Sequence, residues 1–340
     1  MRLPSLLTLL SSATTTLAAA ITPTNTTTNT TLPTPLSRLS PLKHLNTTRL
    51  RITYHESGPA TGPPVLLLHG WPYSIDSYTH VAPALAAAGH RVIVPYLRGQ
   101  GPTTFLRPDT PRSGEQAALG EDVVELMDGL GIGRAVLAGY DWGGRAANVV
   151  CALSPERCAG LVSVNGYLVQ DLERAWVPLD VKIEAGFWYF YYFLTPRGEA
   201  ALAEKPKEIA RLVWERNSPL WRFTEEDLDR AAETFENPDY VSVVTHVYRH
   251  RLFYAPGDPD YAEAEKKLRK LPPITVPAVT LDGLADGNFP ATDGTSSAKY
   301  FTGPRVHHQV EGAGHNLAQE KPQAFVDAVL EVVKLARDSS

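Results

Sequence analysis

The stretch Leu137-Ala138-Gly139-Tyr140-Asp141-Trp142-Gly143-Gly144-Arg145 sets one carboxylate among three glycines, in the pattern Gly-x-Asp-x-Gly. A short apolar run before it, Ala135 to Ala138, reads as a buried strand, and a small-residue helix follows from near Gly143. Glycines on both sides permit a turn so tight that the residue at its tip takes a strained backbone conformation. Such a strand–turn–helix presents one side chain at the carboxyl edge of a sheet and aims helix N–H groups at it. A carboxylate acting there as a nucleophile would select its own chemistry. Attack on an ester or amide gives an anhydride, a poor intermediate. Attack on a saturated carbon that carries a leaving group gives an alkyl ester, which water can hydrolyse. The turn therefore points to an epoxide or an alkyl halide. Its structural alternative is an Asp that only caps a helix.

The elements that must position this carboxylate run through most of the chain. Its 340 residues, 43% hydrophobic and 20% charged, suit an ordinary globular protein with one large core and room for an inserted subdomain. A formal net charge of −5 gives no electrostatic footprint for nucleic acid, and no obligatory protein partner is evident. Met1-Arg2, the apolar run Leu3 to Leu10 and the stretch Leu17-Ala18-Ala19-Ala20, which ends in small residues, read as a secretory signal over residues 1–20, too short for a membrane span. Residues 21–47, rich in Thr, Pro, Ser and Asn, read as a flexible arm. Asn25, Asn29 and Asn46 each begin an Asn-x-Thr sequon and are the expected glycosylation sites of a secreted chain. The two cysteines, Cys151 and Cys158, are expected as buried free thiols, with a bridge as the alternative in an oxidising compartment.

Arg49 to Tyr54 reads as a strand, Val65 to Leu68 as a buried strand, Ser74 to Ala88 as a helix and Val92 to Val94 as the next strand. Gly114 to Leu130 is helical, and Leu161 to Val164 is a strand beyond the glycine turn. This β-α-β rhythm means a mostly parallel sheet flanked by helices. From Leu172 to Leu271 the pattern becomes helix upon helix, and the strand rhythm resumes at Val276 to Leu281 and Val306 to Val310. A helix near Ala291 to Lys299 and a closing one from Pro322 to Ala336 complete it. The expected organisation is a core of residues 48–170 and 273–340 with a helical cap over 171–272.

His69-Gly70-Trp71-Pro72, Arg98-Gly99-Gln100-Gly101, Gly139-Tyr140-Asp141-Trp142-Gly143-Gly144 and Gly312-Ala313-Gly314-His315 occur in an order and spacing that resemble the α/β-hydrolase fold. The resemblance is to its branch of epoxide hydrolases and hydrolytic dehalogenases, and it covers residues 48–337. It implies Asp141 as nucleophile and His315 as the base that activates water against the ester. That base must be neutral to act, so activity should fall at acid pH. The family's Gly-x-x-Asp pattern marks Asp286 as the acid that orients His315, with Asp282 and Asp293 as neighbouring rivals. Some dehalogenases place this acid near Asn165, which cannot carry the charge. The oxyanion donors implied are the main-chain N–H groups of Trp71 and Trp142, and His69 orders its loop. Two cap tyrosines would protonate a departing alkoxide: Tyr189 in the first cap helix and Tyr248 in the second site, with Tyr191, Tyr192 and Tyr254 as rivals.

Arg145, one turn into the helix after the nucleophile, is expected to pair with Asp122 or Glu125 of the Gly114 to Leu130 helix. A substrate carboxylate, of the kind an arginine holds at the like position in haloacid-type relatives, is its alternative. The other cap arginines and lysines read as solvated faces. The function implied is opening of an epoxide to a vicinal diol, with no metal or organic cofactor, on a small apolar organic substrate and water. Dehalogenation by the same Asp141 is the alternative, against which stand Trp71, where haloalkane relatives carry Asn, and Tyr189, where fluoroacetate-type relatives carry His. A ligand-binding, non-enzymatic member of the fold is the reading from another class.

Overall fold

The computed structural model describes residues 38–338. The leader 1–20 and the sequons at Asn25 and Asn29 lie outside them. Nine strands form one sheet: β1 Leu42–Asn46, β2 Leu50–Ser57, β3 Pro64–Leu68, β4 Arg91–Pro95, β5 Thr104–Phe105, β6 Ala135–Gly139, β7 Cys158–Val164, β8 Ala278–Gly283 and β9 Arg305–Val310. Their order is β1-β2-β4-β3-β6-β7-β8-β9, with β5 on the side of β2. From β4 through β9 neighbouring strands are parallel, while β1, β2 and β5 pair antiparallel. The central strands β3, β6 and β8 are buried along almost their whole length, and β3 and β6 are apolar throughout, because helices cover both faces. Between β7 and β8 the described elements are all helical, running from Leu172–Arg174 to Ala262–Leu268.

Several local expectations are corrected. Residues 42–46, expected in the flexible arm, form β1, which pairs with β2 from Leu42↔His55 to Asn46↔Arg51 and leaves Asn46 exposed at its end. The helix expected from Ser74 to Ala88 is a 3-10 turn, Ile75–Tyr78, followed by Val81–Ala87. Ser74 Oγ accepts from Asp76 N and Thr79 Oγ1 donates to Asp76 O, so short polar side chains satisfy the backbone groups that a continuous helix would use. The helix expected over Ala291 to Lys299 shrinks to Thr295–Ala298. Thr292 is tied to Asp282, and Gly294 has a φ of 78°.

Cys151 and Cys158 are not free thiols. They form a disulfide with a Cα–Cα distance of 5.2 Å, joining the end of the helix after β6 to the first residue of β7.

Candidate active site

Three loops at the carboxyl ends of β6, β8 and β9 bring Asp141, Asp286 and His315 together. Asp141 opens the helix Asp141–Leu153, two residues earlier than expected, with a φ of 51° that non-glycine residues rarely adopt. The surroundings over-determine this strain. A Cβ on Gly143 would lie 2.1 Å from Leu68 O, so the helix backbone sits directly against the end of β3.

His315 Nδ1 is 2.9 Å from Asp286 Oδ2, and its Nε2 is 3.4 Å from Asp141 Oδ2. Asp286 is fixed in turn by Asn288 N at 2.8 Å, Phe289 N at 2.9 Å and Asn165 Nδ2 at 3.2 Å. The residue that could not have been the acid thus serves the one that is placed as it. Asp282 binds Thr292 and Asp293 binds Thr295, which are turn roles.

Burial opposes a charge on His315. The Asp286 charge, the hydrogen bonds to Asp141 and Asp286, and the Asp141 charge outweigh it and push the imidazole up to about 10. Burial likewise opposes ionisation of Asp141, but the hydrogen bond and charge of His315 and the Trp71 and Trp142 N–H groups hold its carboxyl below the ordinary range. The pair as it stands before reaction therefore favours carboxylate and imidazolium, and the neutral imidazole expected of the base requires that the Asp141 charge first be removed.

Trp71 N donates to Asp141 Oδ1 at 2.8 Å, and the Trp142 N–H supports the same carboxylate. A Cβ on Gly70 would sit 2.6 Å from Asp141 Cβ, which is why the Trp71 loop can approach so closely. His69 Nδ1 is 2.9 Å from Gly70 O, and its Nε2 accepts from Leu97 N at 3.3 Å. Burial pushes it down to about 4, so it is a neutral loop strut. Tyr240, which sequence reasoning missed, accepts from Trp71 Nε1 at 2.8 Å and fixes the indole. Ser218, also missed, has its Oγ 3.0 Å from His315 N and donates to Glu320 at 2.6 Å.

The cap brings Tyr189 and Tyr248 over this centre. Their rings are 5.5 Å apart and lie 5.4 and 5.7 Å from the Trp71 ring. Both are buried, and burial pushes both phenols well above their ordinary value, so they stay protonated. Asn288 Nδ2 is 3.5 Å from Tyr189 Oη. The rivals lie elsewhere. Tyr191 and Tyr254 are exposed, Tyr191 donating to Glu184, and Tyr192 packs on Trp188. Phe289 stacks on His315 at 5.6 Å.

Two arginines depart from expectation. Asp122 pairs with Arg98 and Glu125 with Thr48, so Arg145 has neither. Arg251 is half-buried over Phe190, not on a solvated face. Among the described residues no group of three or more His, Cys, Asp or Glu side chains is placed to hold a metal ion.

The profile of the alpha/beta hydrolase fold family matches residues 63–322. The chain is 29% identical over 320 residues to epoxide hydrolase A of Mycobacterium tuberculosis, spanning 84% of this chain and 94% of that protein. It is 33% identical over 230 residues to epoxide hydrolase 2 of Siraitia grosvenorii, spanning 59% and 70%. A crystal structure from Klebsiella pneumoniae, put forward as an epoxide hydrolase, superposes with a TM-score of 0.84 and 45% identity over 86% of this chain and 97% of that one. The chain belongs to the α/β-hydrolase fold family, in its epoxide hydrolase branch, and is a hydrolase.

Proposed function

We propose that the enzyme opens epoxides to vicinal diols through an ester on Asp141. The observation that carries this reading is the chain of contacts from Trp71 N through the Asp141 carboxylate and His315 to Asp286. It leaves Asp141 ionised, held out on a strained turn beneath two neutral phenols. An Asp141 oxygen attacks a ring carbon, the ring C–O bond breaks, and the ring oxygen takes a proton from Tyr189 or Tyr248. The product of this step is a neutral hydroxyalkyl ester.

Esterification removes the charge that held the proton on His315. The imidazole then releases that proton, which restores the phenol through solvent. Neutral His315, oriented by Asp286, takes a proton from water as the water oxygen bonds to the ester carbonyl carbon. The Trp71 and Trp142 N–H groups hold the resulting oxyanion. Collapse breaks the ester C–O bond, the departing alkoxide takes the proton of the added hydroxyl and leaves as the diol, and Asp141 returns as a carboxylate carrying a solvent oxygen, with His315 again protonated. Proton and charge therefore balance over one cycle. Trp71, Trp142 and Phe289 would pack on the substrate's carbon skeleton.

The test is mass spectrometry of a His315→Ala variant exposed to a panel of epoxides. A substrate-sized adduct on the peptide containing Asp141 is expected. A folded variant that takes up no adduct from any epoxide overturns the reading, and halide release from alkyl halides without diol formation turns it to dehalogenation. Passage through the secretory pathway, with glycans on Asn25, Asn29 and Asn46, is part of the same proposal. The apolar leader and the Cys151–Cys158 bridge, which belongs to an oxidising compartment, support it.

A further inference from the structure

The loops that carry Trp71, Asp286 and His315 follow three different strands, β3, β8 and β9, yet the end of one helix binds all of them. That helix, Pro206–Asn217, lies between β7 and β8. In its last turn Trp214 Nε1 donates to Pro72 O at 3.0 Å and the ring stacks on Tyr73, beside the Trp71 N–H that holds Asp141. Asn217 O accepts from Gly287 N at 3.0 Å and from His315 N at 3.2 Å. The last carbonyls of a helix have no partner inside it, so this oxygen is free to serve two donors. It thereby joins the residue after Asp286 to His315 itself. Ser218 Oγ accepts from His315 N at 3.0 Å and from Asn316 N at 3.4 Å, and donates its own proton to Glu320 Oε1 at 2.6 Å. Glu320 accepts in addition from Gly314 N at 2.7 Å and Asn316 N at 3.1 Å.

Two glycines admit the helix end. A Cβ on Gly287 would lie 2.0 Å from Arg216 O, and one on Gly314 would lie 2.6 Å from Ser218 Cα. Neither glycine has a positive φ, so what each supplies is space and not a turn. One follows Asp286 and the other precedes His315, so both loops are cut to fit the same two residues. Asn217 and Ser218 are buried, and a buried polar group left without its partner is costly, which ties the loops firmly to the helix. Firmness matters here because His315 must keep its 2.9 Å contact with Asp286 while Nε2 faces Asp141. A misplacement of about 1 Å in such an arrangement costs on the order of 10²-fold in rate.

We propose that Ser218, held by Glu320, is a positioning residue for His315, and that the helix end it occupies keeps base and acid in register for ester hydrolysis. The proposal rests on the epoxide-opening reading for the reaction, and on the hydrogen bonds of Asn217, Ser218 and Glu320 for the clamp. Ser218 acts through the His315 main chain and exchanges no proton with the substrate. Ester formation uses Asp141 and the phenols, whereas hydrolysis uses a correctly placed His315, so loosening the clamp should separate the two rates.

Single-turnover kinetics with styrene oxide provide the test. Ser218→Ala should slow ester hydrolysis about 10-fold and leave ester formation within about twofold, so that esterified enzyme accumulates. Ser218→Thr, which keeps the hydroxyl, should recover most of the loss. Glu320→Gln sets amide hydrogens against the Gly314 and Asn316 N–H groups and should slow hydrolysis to a similar degree. The double variant Ser218→Ala/Glu320→Gln should be no slower than the slower single one, because both break the same link. Hydrolysis at the wild-type rate in Ser218→Ala overturns the clamp, as does an equal loss in both half-reactions or a Thr variant no better than Ala. Amide hydrogen exchange of the wild type, read by NMR, needs neither substrate nor variant. The Gly287 and His315 N–H groups should be protected to the same extent, and free exchange of either overturns the clamp even where the variants do not fold. Absence of any ester on Asp141 in the His315→Ala test would discard the chemistry and leave the clamp to this exchange signature. An ester that forms and hydrolyses without regard to Ser218 would do the reverse.

Discussion

His315 Nε2 lies 3.4 Å from Asp141 Oδ2, so the group assigned to activate water is ion-paired with the nucleophile it must later release. The pair favours the imidazolium, and esterification of Asp141 removes both the hydrogen bond and the charge by which Asp141 raises His315. The two half-reactions should therefore answer differently to pH. Ester formation needs an ionised Asp141, whose carboxyl is held low, and should persist into mildly acidic solution. Ester hydrolysis needs a neutral His315 and should slow as pH falls. Rapid-quench mass spectrometry should find more esterified enzyme at the acid end of the range than at neutral pH. A constant esterified fraction would rule out His315 as the titrating base.

The same shift has a consequence for stability. A histidine raised on folding contributes stability that is complete below its unfolded value and is lost as pH rises through the folded one, here about 10. In Asp141→Asn the carboxylate partner is gone and His315 should titrate lower. Imidazole NMR shifts in the wild type and this variant check it, and identical titrations would contradict the pairing.

Asp286 accepts from Asn288 N, Phe289 N and Asn165 Nδ2 while it holds His315. Asp286→Asn removes the charge that favours the imidazolium and sets an amide among three donors. Ester hydrolysis should fall by roughly 10³- to 10⁴-fold, the scale known for an orienting acid. Ester formation should suffer much less. Single-turnover kinetics resolve the two rates, and an equal loss in both would make Asp286 structural.

Tyr189 and Tyr248 meet edge to face with their rings 5.5 Å apart. The proposed sharing of the proton-donor role between them would make them partly redundant. Tyr189→Phe and Tyr248→Phe should each slow ester formation by roughly 10²-fold. The double variant should lose more than either, and ester hydrolysis should be untouched in all of them. Stopped-flow measurement with saturating epoxide provides the check. A variant that alters only hydrolysis would remove its tyrosine from the donor role.

What could be read from the chain and what could not divide along physical lines. Asp141, His315 and Asp286 sit in short glycine loops after strands, where motif spacing and position relative to the sheet carry the information, and the structure brings these three together. Tyr240, Ser218 and Asn288 reach the site from cap or loop positions whose sequence looks like ordinary helix or turn, and only the tertiary packing aims them. Arg145 misled for the same reason. A helix partner is a sound expectation from spacing, but Asp122 is claimed by Arg98, which enters from the loop after β4 with two bonds of 2.6 and 2.7 Å. At Leu42–Asn46 composition suggested disorder, yet an edge of β2 was available to pair with and took up the strand.

The Cys151–Cys158 bridge closes a short loop, with a sequence separation of seven, between the helix that carries Asp141 and β7. By loop-closure entropy such a bridge stabilises the fold by about 2.5 kcal/mol. Cys151 lies ten residues beyond Asp141, about 15 Å along the helix axis, so its loss should reach the nucleophile weakly. Cys151→Ala/Cys158→Ala should therefore lower the thermal midpoint by several degrees while keeping kcat within about twofold at 25 °C. Wild-type protein denatured without reductant should take up no alkylating reagent, and reduction should expose both thiols. Free thiols in the unreduced protein, or a variant as stable as the wild type, would show that packing alone holds the end of this helix.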